Sequence, residues 1–132
     1  MSTPIPTVHE FMTASPVTIG SDQTMAQASD LMREHGIRHL PVLAGGQLLG
    51  VISDRDVKIV ESFPDVDPAE LPVAEAIPQQ AFVVAPETPL DEVAREMATH
   101  KYGSAVVMDG RQVVGIFTTV DACRALANTY RS

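Results

Sequence analysis

A gap-free internal repeat constrains this 132-residue chain more than any other feature. Sliding the sequence on itself until Asp56 meets Asp121, an offset of 65, brings Gly50 onto Gly115, Gln47 onto Gln112, Gly45 onto Gly110 and Val42 onto Val107. The same offset pairs His35 with His100, Met32 with Met97 and Glu10 with Glu75. Self-similarity at a fixed period means one supersecondary unit used twice, and a unit this small has too little buried surface to be comfortable alone.

Each copy predicts the order strand, helix, strand, strand, helix. Residues 17–19 and 82–84 read as short strands, followed by helix-starting chemistry at Ser21-Asp22 and Pro86-Glu87-Thr88-Pro89. Met25, Ala28, Leu31 and Met32, and in the second copy Leu90, Val93 and Met97, recur at helical spacing and read as core. Apolar runs at 40–43 and 48–52, and at 105–108 and 113–117, flank the turns Ala44-Gly45-Gly46-Gln47 and Asp109-Gly110-Arg111-Gln112. Their glycines supply the positive φ that a tight hairpin requires. The last run ends at Ser53 or Thr118, where a final helix begins. The repeats span 7–62 and 73–126, the proline- and acid-rich 63–72 is a connecting loop, and 1–6 and 127–132 read as loose termini. The expected class is mixed α/β (α+β): two β-α-β-β-α units related by a pseudo-twofold axis and packed sheet to sheet.

With 45% hydrophobic residues a sizeable core is available, but the formal net charge of -8 repels nucleic-acid phosphates and anionic membranes. No nucleic-acid partner is expected, and any anionic ligand needs a local cluster of positive groups. Cys123 is the only cysteine, which excludes an intramolecular disulfide and fits a reducing cytoplasm; it reads as a small buried hydrophobe. No basic leader or apolar run of about 18 residues is present, so the chain reads as soluble and cytoplasmic, without a membrane partner. His35 and His100 suit the negative ends of helices better than a metal. No phosphate loop, zinc spacing or nucleophile elbow occurs, so neither catalytic residues nor an enzyme are expected.

The segments GIRHLPVL and GVISDRD in the first copy, and YGSAVVMDG and GIFTTVD in the second, resemble the paired cystathionine-β-synthase (CBS) domains, or Bateman module. The resemblance covers about residues 7–126. It implies two clefts between the units for an adenosine nucleotide, AMP, ADP or ATP, or for S-adenosylmethionine. It also implies a homodimer, and a regulatory role toward a partner protein that the residues do not identify. No cofactor is required, although Mg2+ can accompany the phosphates. The alternative is a ligand-free dimerisation or interaction scaffold.

The motif residues allow two roles. Ser53-Asp54-Arg55-Asp56 and Thr118-Thr119-Val120-Asp121 each place a hydroxyl at a helix start and an acid three positions later, the pattern of a capping box. The resemblance assigns ribose hydroxyls to Asp56 and Asp121, whose paired oxygens suit a vicinal diol, and sugar or phosphate to Ser53, Thr118 and Thr119. It assigns phosphate to Arg38, His39 and Arg55, whose counterparts are the uncharged Gly103, Ser104 and Val120. For adenine it points to the chain before each first strand, with Thr13, Pro16 and Val17 in one copy and 78–82, including Ala81 and Phe82, in the other, and to Ile37 and Tyr102.

Overall fold

A computed structural model describes residues 4–77 and 80–130; the predicted loose ends at 1–3 and 131–132, and Pro78 of the predicted adenine segment, lie outside the described residues. In chain order the elements are a 3-10 turn Val8–Glu10, β1 Thr13–Ala14, β2 Ile19–Gly20, α1 Met25–His35, β3 His39–Ala44, β4 Gln47–Ser53, α2 Asp54–Glu61, α3 Val73–Ala76, β5 Val83–Val84, α4 Leu90–His100, β6 Ser104–Asp109, β7 Gln112–Thr118 and α5 Thr119–Thr129. The predicted strand-helix-strand-strand-helix order is present twice, as β2-α1-β3-β4-α2 and β5-α4-β6-β7-α5.

Two compact units result, and they do not follow the repeats. Val17–Ala81 forms a continuous unit, whereas the residues up to Pro16 join those from Phe82 onward in a split unit. The continuous unit has a sheet of order β2-β3-β4, with β2 parallel and β4 antiparallel to β3. The split unit has the order β1-β7-β6-β5, in which β1 pairs antiparallel with β7.

Exchanged lead segments complete both units by the same hydrogen bonds. Val8 N–H donates to the Thr88 carbonyl at 2.9 Å, and Val73 N–H, 65 positions on, donates to Gln23 at 2.8 Å. Leu90 N–H donates to Pro6 at 2.8 Å just as Met25 N–H donates to Leu71 at 2.9 Å. Each repeat's lead therefore closes on the helix start of the other repeat, with Val8 and Val73 fully buried at the join. In the split unit Met12 seals the arrangement by lying across Gly115, where a Cβ would stand 2.9 Å from Met12 Cγ.

The core of the continuous unit gathers Ile19, Met25, Ala28, Leu40, Val42 and Ile52; that of the split unit gathers Val8, Val93, Ala105, Val107 and Phe117. Alternation along the strands puts Leu40 and Val42 on the core face, and hence His39 and Pro41 on the other. The glycine turns behave as expected, with φ of 57° at Gly45, 82° at Gly46 and 63° at Gly110.

Several boundaries differ from the sequence expectation. Ser21-Asp22 does not cap α1: Ser21 N–H is used by the Leu43 carbonyl at 2.8 Å, which continues the β2–β3 pairing, and Thr24 caps instead through a capping box with Gln27. The first strand of each repeat is two residues long, and Val17 packs as a partly buried neighbour of the core. Helix α5 continues past Leu126 to Thr129, whose hydroxyl donates to the Ala125 carbonyl at 3.0 Å. Cys123 is exposed, because the helical spacing that turns Asp121 and Ala125 inward turns Cys123 outward. Among the described residues no helix is long and apolar enough to cross a membrane.

Candidate functional site

The GVISDRD segment runs out of β4 and into α2, and Ser53 stands at the joint as the N-cap. Its hydroxyl accepts from the Asp56 amide at 3.2 Å, while Asp56 Oδ2 accepts from the Ser53 amide and hydroxyl, each at 2.9 Å. Thr118 and Asp121 repeat this at the start of α5, with Oδ2 accepting from the Thr118 amide at 2.9 Å and hydroxyl at 3.2 Å. Both acids therefore cap, and each capping box satisfies two N–H groups that a helix start leaves orphaned.

Beyond the cap the two acids differ. Asp121 is only 3% exposed, and its Oδ1 accepts from the Thr13 hydroxyl at 3.1 Å and from the Arg124 guanidinium at 3.2 Å. Asp56 is half-buried, and no described residue donates to its Oδ1. The register explains the contrast: Arg124 corresponds to Ile59, and Thr13 to Pro78, neither of which carries a side-chain donor.

Arg38, His39 and Arg55 stand on the Asp56 side at positions whose counterparts, Gly103, Ser104 and Val120, are uncharged. His39 lies directly across the ladder from Ser53, and the Arg38 carbonyl accepts from the Asp54 amide at 2.9 Å, so the start of β3 is fixed against the start of α2. Arg38 and Arg55 are exposed and make no ion pair among the described residues, whereas Lys58 pairs with Asp54 at 3.6 Å. Burial pushes the His39 imidazole below the ordinary value of 6.5, outweighing the upward pull of Asp54 and then Asp56; Arg38 adds a small push down. His39 is thus a neutral ring at pH 7. The same ladder position in the split unit pairs Ser104 with Thr118, and Thr119 N–H donates to the Gly103 carbonyl at 3.3 Å. Neither Gly103 nor Ser104 carries a charge.

An apolar groove of about 330 Å³ opens beside Asp56, walled by Ile59, Val60, Phe63, Val66, Leu71 and Ala76, with Glu75 at its edge. Sequence reading missed it, having treated 63–72 as a plain connector. The signal was present: Asp56, Ile59, Val60 and Phe63 stand at i, i+3, i+4 and i+7, one helical face.

The predicted adenine residues are divided between the two units and have different surroundings within each. Ile37 lines a groove between α1 and α2 with Gly36, Arg38, Asp54 and Lys58, and Tyr102 lines its equivalent between α4 and α5 with Lys101, Gly103 and Thr119. Asp56 and Asp121 line neither. The Tyr102 ring packs 5.0 Å from Phe82 and 5.1 Å from His100, centroid to centroid. Thr13 serves Asp121, and Pro16, Val17, Ala81 and Phe82 sit where the chain passes from one unit to the other.

Comparison with known proteins agrees with the repeat. The chain is 28% identical over 114 residues to the CBS domain-containing protein YhcV of Bacillus subtilis, covering 86% of this chain and 81% of that one. It is 29% identical over 122 residues to an inosine-5'-monophosphate dehydrogenase of Korarchaeum cryptofilum, and spans 24% of that enzyme's length. Among solved structures, the CBS domain pair of protein MJ0100, in complex with 5'-methylthioadenosine and S-adenosylmethionine, superposes with a TM-score of 0.86 at 26% identity, covering 96% of this chain and 99% of that one. The family model described as CBS domain matches twice, at residues 8–61 and 70–128. Two tandem matches that fall on the two repeats, each containing its capped acid, make this chain a member of the CBS domain family.

Proposed function

We propose that the chain is a cytoplasmic regulatory module that senses an adenosine ligand and signals its presence to a partner protein. The observation that carries this reading is the Asp56 carboxylate, with one oxygen tied to the helix cap and the other without a donor among the described residues. A vicinal diol donates two hydrogen bonds, and a half-buried carboxylate with accepting capacity to spare is suited to it. Ser53 supports the sugar. Arg38, His39 and Arg55 supply donors for phosphate, and the apolar groove walled by Val60, Leu71 and Ala76 offers a face for the base. Mg2+ can accompany a polyphosphate. The related MJ0100 pair, solved with 5'-methylthioadenosine and S-adenosylmethionine, supports the ligand class. Residues 7–62 and 73–126 form the two repeats of the module, joined by 63–72, working as a homodimer without catalysis. The alternative of a ligand-free scaffold draws support from the split unit, where Asp121 is already fully engaged.

A dye-based melting assay tests the proposal, since no tryptophan is present to report binding. At about one hundred times its dissociation constant a ligand adds about 2.7 kcal/mol of stability. AMP, ADP, ATP, S-adenosylmethionine and 5'-methylthioadenosine form the panel. At least one is expected to raise the melting temperature of the parent but not of Asp56→Asn; a flat response to all five refutes it.

A further inference from the structure

We infer that the chain holds one adenosine ligand per polypeptide, at Asp56, because Thr13 and Arg124 lock the second ribose acid, Asp121. The inference rests on the ligand class proposed above and adds the number and location of the sites.

Thr13 and Arg124 occupy Asp121 from two directions. Thr13 reaches it from β1, on the exchanged lead segment, donating to Oδ1 at 3.1 Å and approaching Oδ2 at 3.3 Å. Arg124, one turn along α5, donates to Oδ1 at 3.2 Å. With the Thr118 amide and hydroxyl on Oδ2, each oxygen already accepts from at least two donors. A carboxylate offers about four lone-pair sites, so no capacity remains for a diol. Entry of a ribose requires that two internal bonds to a buried charge be broken before any new ones form.

Asp56 is the built-in control. The same capping box holds it, but in sequence the counterpart of Arg124 is Ile59 and that of Thr13 is Pro78, neither of which carries a side-chain donor. Ile59 is 47% exposed and walls the groove instead of covering the acid. The phosphate-side groups follow the same division, since Arg38, His39 and Arg55 correspond in sequence to the uncharged Gly103, Ser104 and Val120 of the second repeat. Two independent features, the lock and the missing cations, thus disable the same repeat.

Counting ligands tests the inference, with 5'-methylthioadenosine as probe because it carries the diol without phosphate and is blind to the difference in cations. Isothermal titration is expected to give one equivalent per chain for the parent. The double variant Thr13→Val, Arg124→Ile is expected to bind a second equivalent, and Asp56→Asn in the parent background to weaken binding at least tenfold. Circular dichroism confirms that each variant is folded. Two equivalents in the parent, or a double variant that stays at one, overturns the lock while leaving the proposed ligand class intact. No binding by the parent overturns the ligand class itself, and the lock with it.

Discussion

Alanine at Asp56 and at Asp121 is the same chemical change at equivalent places in the repeat, yet the structure gives the two substitutions different costs. Each removes the N3 acid of a capping box and the bonds it accepts from the N-cap residue, worth about 1 kcal/mol. At Asp56 little else is lost, so about 1 kcal/mol is expected. At Asp121, 3% exposed, the Thr13 hydroxyl also loses its ionised acceptor, at about 1.5 kcal/mol toward the low end for bonds to charged groups. The Arg124 side chain is 66% exposed, so its ion pair adds only about 0.5 kcal/mol. The total for Asp121→Ala is about 3 kcal/mol, some 2 kcal/mol more than for Asp56→Ala. For a chain of this size that difference is about 8 °C in melting temperature. Urea denaturation with ligand absent measures both, and Thr13→Val in each background isolates the long-range bond: a coupling of about 1.5 kcal/mol to Asp121 and none to Asp56 is expected. Equal costs for the two alanines, or the greater cost at Asp56, would refute the reasoning.

Two further substitutions probe the frame. Lys101 ends α4 in the left-handed region at φ 60°, where its counterpart after α1 is Gly36 at φ 63°. Lys101→Gly should therefore stabilise by about 0.5–1 kcal/mol in urea denaturation, and a loss of stability would contradict this. His39 binds its proton less readily when folded than when unfolded. The stability owed to its neutral ring is complete above pH 6.5 and declines as pH falls through the lowered folded value. His39→Gln should flatten the fall measured between about pH 7 and 5, and parallel curves for parent and variant would exclude His39 as its source.

Much of this was legible in local sequence. The offset repeat exposed the element order, the glycines announced both hairpins, and Ser53 and Thr118 with acids three positions later announced two capping boxes that the structure contains. What stayed hidden depends on partners far apart in the chain. Thr13 and Asp121 are 108 positions apart, and a hydroxyl in a lead segment carries no mark of the carboxylate it will meet. Thr24 gave a capping signal as good as that of Ser21, and the choice fell to the strand pairing that consumed the Ser21 amide. Cys123 was misplaced for lack of a fixed helical phase: only the burial of Asp121, an acid that the pattern would put in water, reveals which side of α5 faces inward.

The exchange of lead segments bears on how such a chain is assembled. The continuous unit lies within residues 17–81, while the partners that residues 7–16 find outside their own turn, among them Pro86, Thr88 and Pro89, come later in the chain. During synthesis residues 7–16 must therefore wait for the second repeat before they dock. Two separate half-length chains could satisfy the same bonds by trading leads as a swapped dimer, so the tandem chain is in effect that dimer with its two halves joined and its second-order encounter made unimolecular.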